Sequence, residues 1–154
     1  MMRWNSRMAA LLGPLDRACD SLAATPLDPG LQHILAAGIE RHAGGSFLSV
    51  VRPESGWPSV PSASLPDLTA AECLLNHLHL SDHVSLLSVR DMARQAIKFA
   101  CELGKLLVDR RYRVIVAVSD SDVTVRFHCL REGEPWLDDD LENYAYEAIA
   151  VLDI

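Results

Sequence analysis

The sequence predicts an α+β protein: an antiparallel sheet of three to four strands, a C-terminal hairpin plus the last strand, packed against a long helix, with additional N-terminal helices. Three stretches carry that prediction. Residues 111–130, RYRVIVAVSDSDVTVRFHCL, are two arms rich in β-branched and aromatic residues, interrupted by the turn formers Ser119, Asp120, Ser121 and Asp122. In the second arm Val123, Val125, Phe127 and Cys129 alternate with Thr124, Arg126 and His128, giving one apolar and one largely wet face. The first arm is apolar on both faces, Tyr112, Val114, Val116 and Val118 opposing Ile115 and Ala117, so it belongs nearer the middle of the sheet. Residues 147–153, EAIAVLD, supply the third strand, since two strands alone are marginal in water. The long helix precedes the hairpin: Val89, Ala93, Ala96, Ala100, Leu103 and Leu107 fall at offsets of 4, 7, 11, 14 and 18, one continuous helical face.

From the N-terminus, residues 5–12 and 15–24 read as two short helices, followed by a turn cluster at 25–30. Asp28 is a suitable N-cap and Pro29 a suitable first residue for a helix carrying Leu31, Ile34, Leu35 and Ile39 on one side and ending at Gly44 and Gly45. Residues 46–52, SFLSVVR, read as a strand that would add to the C-terminal sheet, with no neighbour assigned by the sequence. Residues 53–66 contain four prolines and four serines and form a loop, in which Trp57 is either tucked onto the core or a contact residue. A helix with Leu68, Ala71, Leu74, Leu75 and Leu78 on one stripe starts at Asp67 and is expected to run to Ser81 and Asp82. Ser88 and Asp91 then form a capping box for the long helix, Asp standing where Glu or Gln is usual. The organisation is a single domain, 1–154, with a helical N-terminal part at 1–52, the loop at 53–66 and an α+β core at 67–154.

A chain of 154 residues, 49% of them apolar, can bury a real core. The cysteines, Cys19, Cys73, Cys101 and Cys129, have no paired spacing and suit reduced thiols rather than a disulfide framework. The apolar run after Arg7 meets Gly13 and Pro14 too soon for a signal peptide, and no stretch approaches the roughly 18 apolar residues of a membrane span. A cytoplasmic location follows as the expectation. The net charge of −7 is unevenly spread: residues 132–154 hold eight acidic residues and no Lys or Arg, while residues 1–131 hold 13 acidic and 14 basic. Such a patch repels nucleic acid and anionic membrane and attracts a basic protein surface, unless it serves only to keep the chain soluble.

No nucleophile elbow, dinucleotide fingerprint or phosphate-binding loop is present, so catalysis and a cofactor have no positive support. Cys73, His77, His79 and His83 have metal-ligand spacings, but converge only if the helix carrying Cys73 stops near Leu78. Asp138, Asp139, Asp140 and Glu142 lack the alternate ligands and central glycine of a calcium loop. Recognition is the better reading of that region. Glu132, Glu134, Trp136, Asp138, Asp139, Asp140, Glu142 and Tyr144 are the candidate partner-binding residues, Tyr146 lying beside them, because aromatic anchors among charges suit a protein-binding surface. On that reading the segment 131–146 is too acidic and turn-rich to be core, although Trp136, between Pro135 and Leu137, is expected to be half-buried, and reversing Asp138, Asp139, Asp140 and Glu142 to Lys would leave folding nearly intact.

The C-terminal stretch from Tyr112 to the end resembles the endings of a set of small bacterial immunity proteins. The likeness lies in Tyr112, Arg113, Val114, Ser119, Asp120, Thr124, Val125, Phe127, His128 and Arg131, then in the block EGEPWLDDDLENY and a last apolar strand. It implies a stoichiometric inhibitor without catalytic activity, which protects its producer by binding a cognate secreted or contact-delivered toxin. With an acidic surface, the implied partner is a basic toxin such as a nuclease acting in the cytoplasm. The alternatives are a metal-binding domain or metal-dependent enzyme on the Cys73, His77, His79 and His83 cluster, and a small adaptor domain of a bacterial assembly.

Overall fold

The computed structural model describes residues 1–15, 22, 25–85 and 87–154. Along the chain lie β1 (Met2–Trp4), α1 (Ser6–Leu12), α2 (Pro29–Ala37), β2 (Ile39–His42), β3 (Gly45–Leu48), α3 (Leu68–Leu75), β4 (Leu78–His79), α4 (Val89–Gly104), β5 (Tyr112–Val118), β6 (Val123–Cys129) and β7 (Ala148–Asp153). A five-stranded sheet has the order β1-β7-β5-β6-β4, antiparallel throughout, and β2 and β3 form a separate two-stranded sheet. The doubly apolar arm is the central strand. Its Tyr112, Val114, Val116 and Val118 join Ala93, Ala96, Ala100 and Leu103 of α4 in the main core, while Ile115 faces the other way with Leu141, Ile149 and Val151. The sheet is therefore covered on both faces. On β6, Thr124 and Arg126 are half-buried, but His128 is buried rather than wet.

Helix α4 starts as its capping box requires: the Ser88 hydroxyl accepts from the Asp91 amide and donates to the Asp91 carboxylate. Helix α2 starts at the Asp28 cap with Pro29 at its first position, but stops at Ala37 because Gly38 takes φ +79°, a conformation that glycine alone adopts cheaply. The expected second half of that helix is instead β2, which hairpins onto β3. The strand expected at 46–52 thus pairs within its own small sheet and does not extend the C-terminal one.

Helix α3 is capped by Asp67 and ends at Leu75, short of Ser81 and Asp82, with Asn76 as its C-cap. Its early end frees Leu78 to pair opposite Val125 as β4. At the opposite edge, Met2–Trp4 pairs with β7, so the part expected to be helical, residues 1–52, supplies three strands as well as α1 and α2. Helix α1, capped by the Asn5 side chain, matches the first short helix; the second, at 15–24, lies largely outside the described residues. The loop at 53–66 packs inward at two points: Leu65 is buried, and Trp57 stacks on Phe47 while donating to Glu40.

The two sheets are joined by side chains of α3. Glu72, 0% exposed, accepts from the Ser46 amide of β3 and the Cys129 amide of β6, each at 2.8 Å. One turn later Asn76 accepts from the Leu48 amide and donates to the carbonyls of Ser46 and Phe127. Arg131 closes the arrangement with a bidentate pair to Glu72, 2.7 and 3.0 Å. Replacing Glu72 by Leu strands two amides and the guanidinium at once, and is expected to cost on the order of 3–5 kcal/mol in urea denaturation, comparable to about 3–5 kcal/mol for the cavity left by Phe127→Ala. A Glu72→Leu midpoint equal to wild type would contradict this assignment.

Candidate functional site

The acidic segment after β6 is a cover for the second face of the sheet. Leu141 is buried, and Trp136, Leu137 and Tyr144 pack half-buried around Ile115, Ile149 and Val151. The half-burial of Trp136 is as expected, whereas the burial of Leu141 and the packing of Leu137 and Tyr144 correct the expectation that this segment is too acidic and turn-rich to be core. Its turn chemistry shapes the cover, and its apolar residues point into it.

Several of the carboxylates hold the cover in place. Glu134 accepts from the Thr69 amide and hydroxyl at the start of α3. Glu142 accepts from the Ser6 amide and hydroxyl, both at 2.7 Å, at the start of α1. Each carboxylate thereby meets amides that a helix leaves unpaired at its N-terminus. Asp138 accepts from the Asp140 amide and the Asn143 side chain, bonds that hold its carboxyl below the ordinary range, and Asp140 accepts from the Glu142 amide. The Tyr144 hydroxyl accepts from the Asp138 amide.

What remains free is a smaller set. Glu132 is exposed and has no hydrogen-bond or ion-pair partner among the described residues. The Asp139 side chain is 90% exposed and pairs only loosely with Arg3 and Arg113, at 3.6 and 3.7 Å. Trp136 and Tyr144 are spent on packing, whereas Tyr146 stands 89% exposed. The sequence placed the acids and aromatics together but could not separate framework from free surface, because that division depends on where α1 and α3 end up.

Beside the cover lies a cleft of about 400 Å³ whose lining includes His77, His79, Asp122, Arg126 and Trp136. Alternation along β6 puts Thr124 and Arg126 on this face, and β4 brings in the histidines. The Arg126 guanidinium lies 3.0 Å from His77 Nε2. Since arginine can only donate, that nitrogen accepts and the proton of neutral His77 sits on Nδ1. His79 Nδ1 is 2.7 Å from Asp122, and the two imidazoles lie 4.6 Å apart. Cys73 is fully buried on α3, where burial pushes its thiol well above the ordinary range, and it does not line this cleft. Among the described residues, no three His, Cys, Asp or Glu side chains are placed to hold a metal ion, so the metal reading of Cys73, His77, His79 and His83 has no geometry to rest on.

Burial, with help from Arg126 and His79, lowers the His77 pKa from 6.5 to about 4, and burial lowers that of His128 in the same direction. Between those two His77 values the unfolded chain takes up a proton that the folded chain refuses. Stability therefore falls as pH drops from about 6.5 towards 4 and is insensitive to His77 above that window. Urea midpoints at pH 7 and pH 5 should show this fall, and a smaller one in His77→Gln, whose amide oxygen still accepts from Arg126; identical falls would contradict the assignment. At constant pH, Glu142→Lys is expected to lower the unfolding free energy by about 1 kcal/mol through loss of the α1 contact, while Glu132→Lys leaves it unchanged. The Glu142–Ser6 contact thus qualifies the expectation that reversing all four acids leaves folding nearly intact.

Among the described residues no helix is long and apolar enough to cross a membrane. No curated protein and no solved structure matches the chain. A family model covers residues 3–154, nearly the whole sequence, and the chain belongs to the uncharacterized protein PM0498 family.

Proposed function

We propose that this chain is an immunity protein, a stoichiometric inhibitor without catalytic activity that binds a cognate secreted bacterial toxin in the cytoplasm. The observation that carries the reading is the way its acidic surface is mounted. Glu134 and Glu142 fasten the 131–146 segment to two helices, Leu141 anchors it to the sheet, and Glu132, Asp139 and Tyr146 are left exposed. A surface fixed in advance loses little conformational entropy on binding, and exposed carboxylates suit a basic partner. The resemblance of residues 112–154 to immunity-protein endings supports the same reading from an independent direction.

The partner that fits is a toxin with a basic face, such as a nuclease whose active site attracts phosphate, and a stable complex would bury on the order of 1,600 Å². Like-charge repulsion argues against nucleic acid or an anionic membrane as the ligand of this surface. The deciding experiment is inhibition of the toxin-like product of the neighbouring gene by wild type and by a Glu132→Lys, Asp139→Lys, Tyr146→Ala variant. The variant should melt with wild type yet inhibit at least about 100-fold less well, equivalent to about 2.7 kcal/mol of binding. Undiminished inhibition by the variant would exclude this surface as the interface.

A further inference from the structure

The cleft beside the acidic cover has a chemistry that the inhibitor reading does not use. Arg126 is a half-buried cation whose one hydrogen-bond partner among the described residues is the neutral ring of His77. No carboxylate lies within ion-pair distance of it among those residues, in contrast to Arg113 and Arg131, which are both matched. Most of its N–H donors are therefore uncommitted and open to the cleft. The two carboxylates of the cleft are engaged elsewhere: Asp122 is bound through one oxygen to His79, its other oxygen buried without a hydrogen-bond partner among the described residues, and Glu147 lines the cleft from the end of the cover. Between the ends lie Ile115, Ala117 and Ile149, with Trp136 and Leu137 alongside.

The geometry points to a binding site for a monocarboxylate with a ring-sized apolar body, its carboxylate on the Arg126 guanidinium and its body against the half-buried Ala117, Trp136 and Leu137. A planar guanidinium matches a carboxylate through two parallel bonds. With Asp122 and Glu147 in the same cleft a phosphate dianion is disfavoured, and a single carboxylate would be held by Arg126 alone. A volume of about 400 Å³ is within the range of small-ligand sites. Neutral His77 holds the guanidinium from one side without competing for the anion.

Phenylacetate and its neutral counterpart phenylacetamide test the site on the intact chain, with binding followed by shifts of the Trp136 indole and His77 ring resonances. Phenylacetate should bind at least ten-fold more tightly than the amide, Arg126→Gln should abolish that preference, and Arg126→Lys should keep part of it. Equal binding of acid and amide, no binding of the acid, or an unchanged preference in a folded Arg126→Gln would overturn the assignment. Acetyl-Gly-Phe, which presents the same group at a peptide end, separates the two sources of such a carboxylate. Tighter binding than phenylacetate identifies a chain terminus as the ligand, and exclusion of the peptide while phenylacetate binds identifies a free small acid.

Discussion

The fold turns on one buried carboxylate. Glu72 is removed from water entirely, a placement that costs several kcal/mol unless each lone pair is matched, and here the Ser46 amide, the Cys129 amide and both Arg131 nitrogens match them. The partners come from two distant stretches of the chain, β3 and the end of β6. A two-stranded hairpin such as β2–β3 is marginal by itself, and the bonds from Glu72 and Asn76 tie it to the main sheet. The far end of β6, beyond the reach of two-residue β4, would otherwise present unpaired backbone; Glu72 satisfies it at Cys129 and Asn76 at Phe127.

The same carboxylate sets where the acidic cover begins. Arg131 is held by Glu72, and three residues later Glu134 is held by Thr69, one turn earlier on α3. At its other end the cover is held by Glu142 at α1. Between these points the chain has little freedom, so Leu141, Trp136 and Leu137 settle on the Ile115 face, and the carboxylates without a helix to serve are presented outward. Acidity in this segment therefore has two roles. Some acids replace backbone partners inside the molecule, and others form its surface.

Elements with strong local signals were legible in the sequence. The hairpin, the central position of β5, the Ser88 box and the buried alanine face of α4 follow from periodicity and capping, which act within a few residues. Asp28 and Asp67 were legible for the same reason. The extent of α2 and α3 was not, because each stops where a tertiary bond replaces the next helical one: Gly38 turns the chain into a hairpin, and Asn76 is taken by Leu48, Ser46 and Phe127. Strands β1 and β4, at three and two residues, are too short to show alternation. The acidic segment was recognised as a unit, and the half-burial of Trp136 between Pro135 and Leu137 was legible, but Tyr144 read as a contact and proves to be packing, since its burial depends on the apolar second face of β5. Arg126 in the cleft was visible only as the polar half of an alternation.

The proposed function rests on a protein partner drawn to a fixed acidic surface. Calorimetric titration of this chain with the purified toxin-like product of its neighbouring gene, at low and at high salt, tests it most directly. One-to-one binding that is tight at low salt and markedly weaker at high salt is the predicted result. Absence of binding at either salt concentration, or affinity indifferent to salt, would contradict the account.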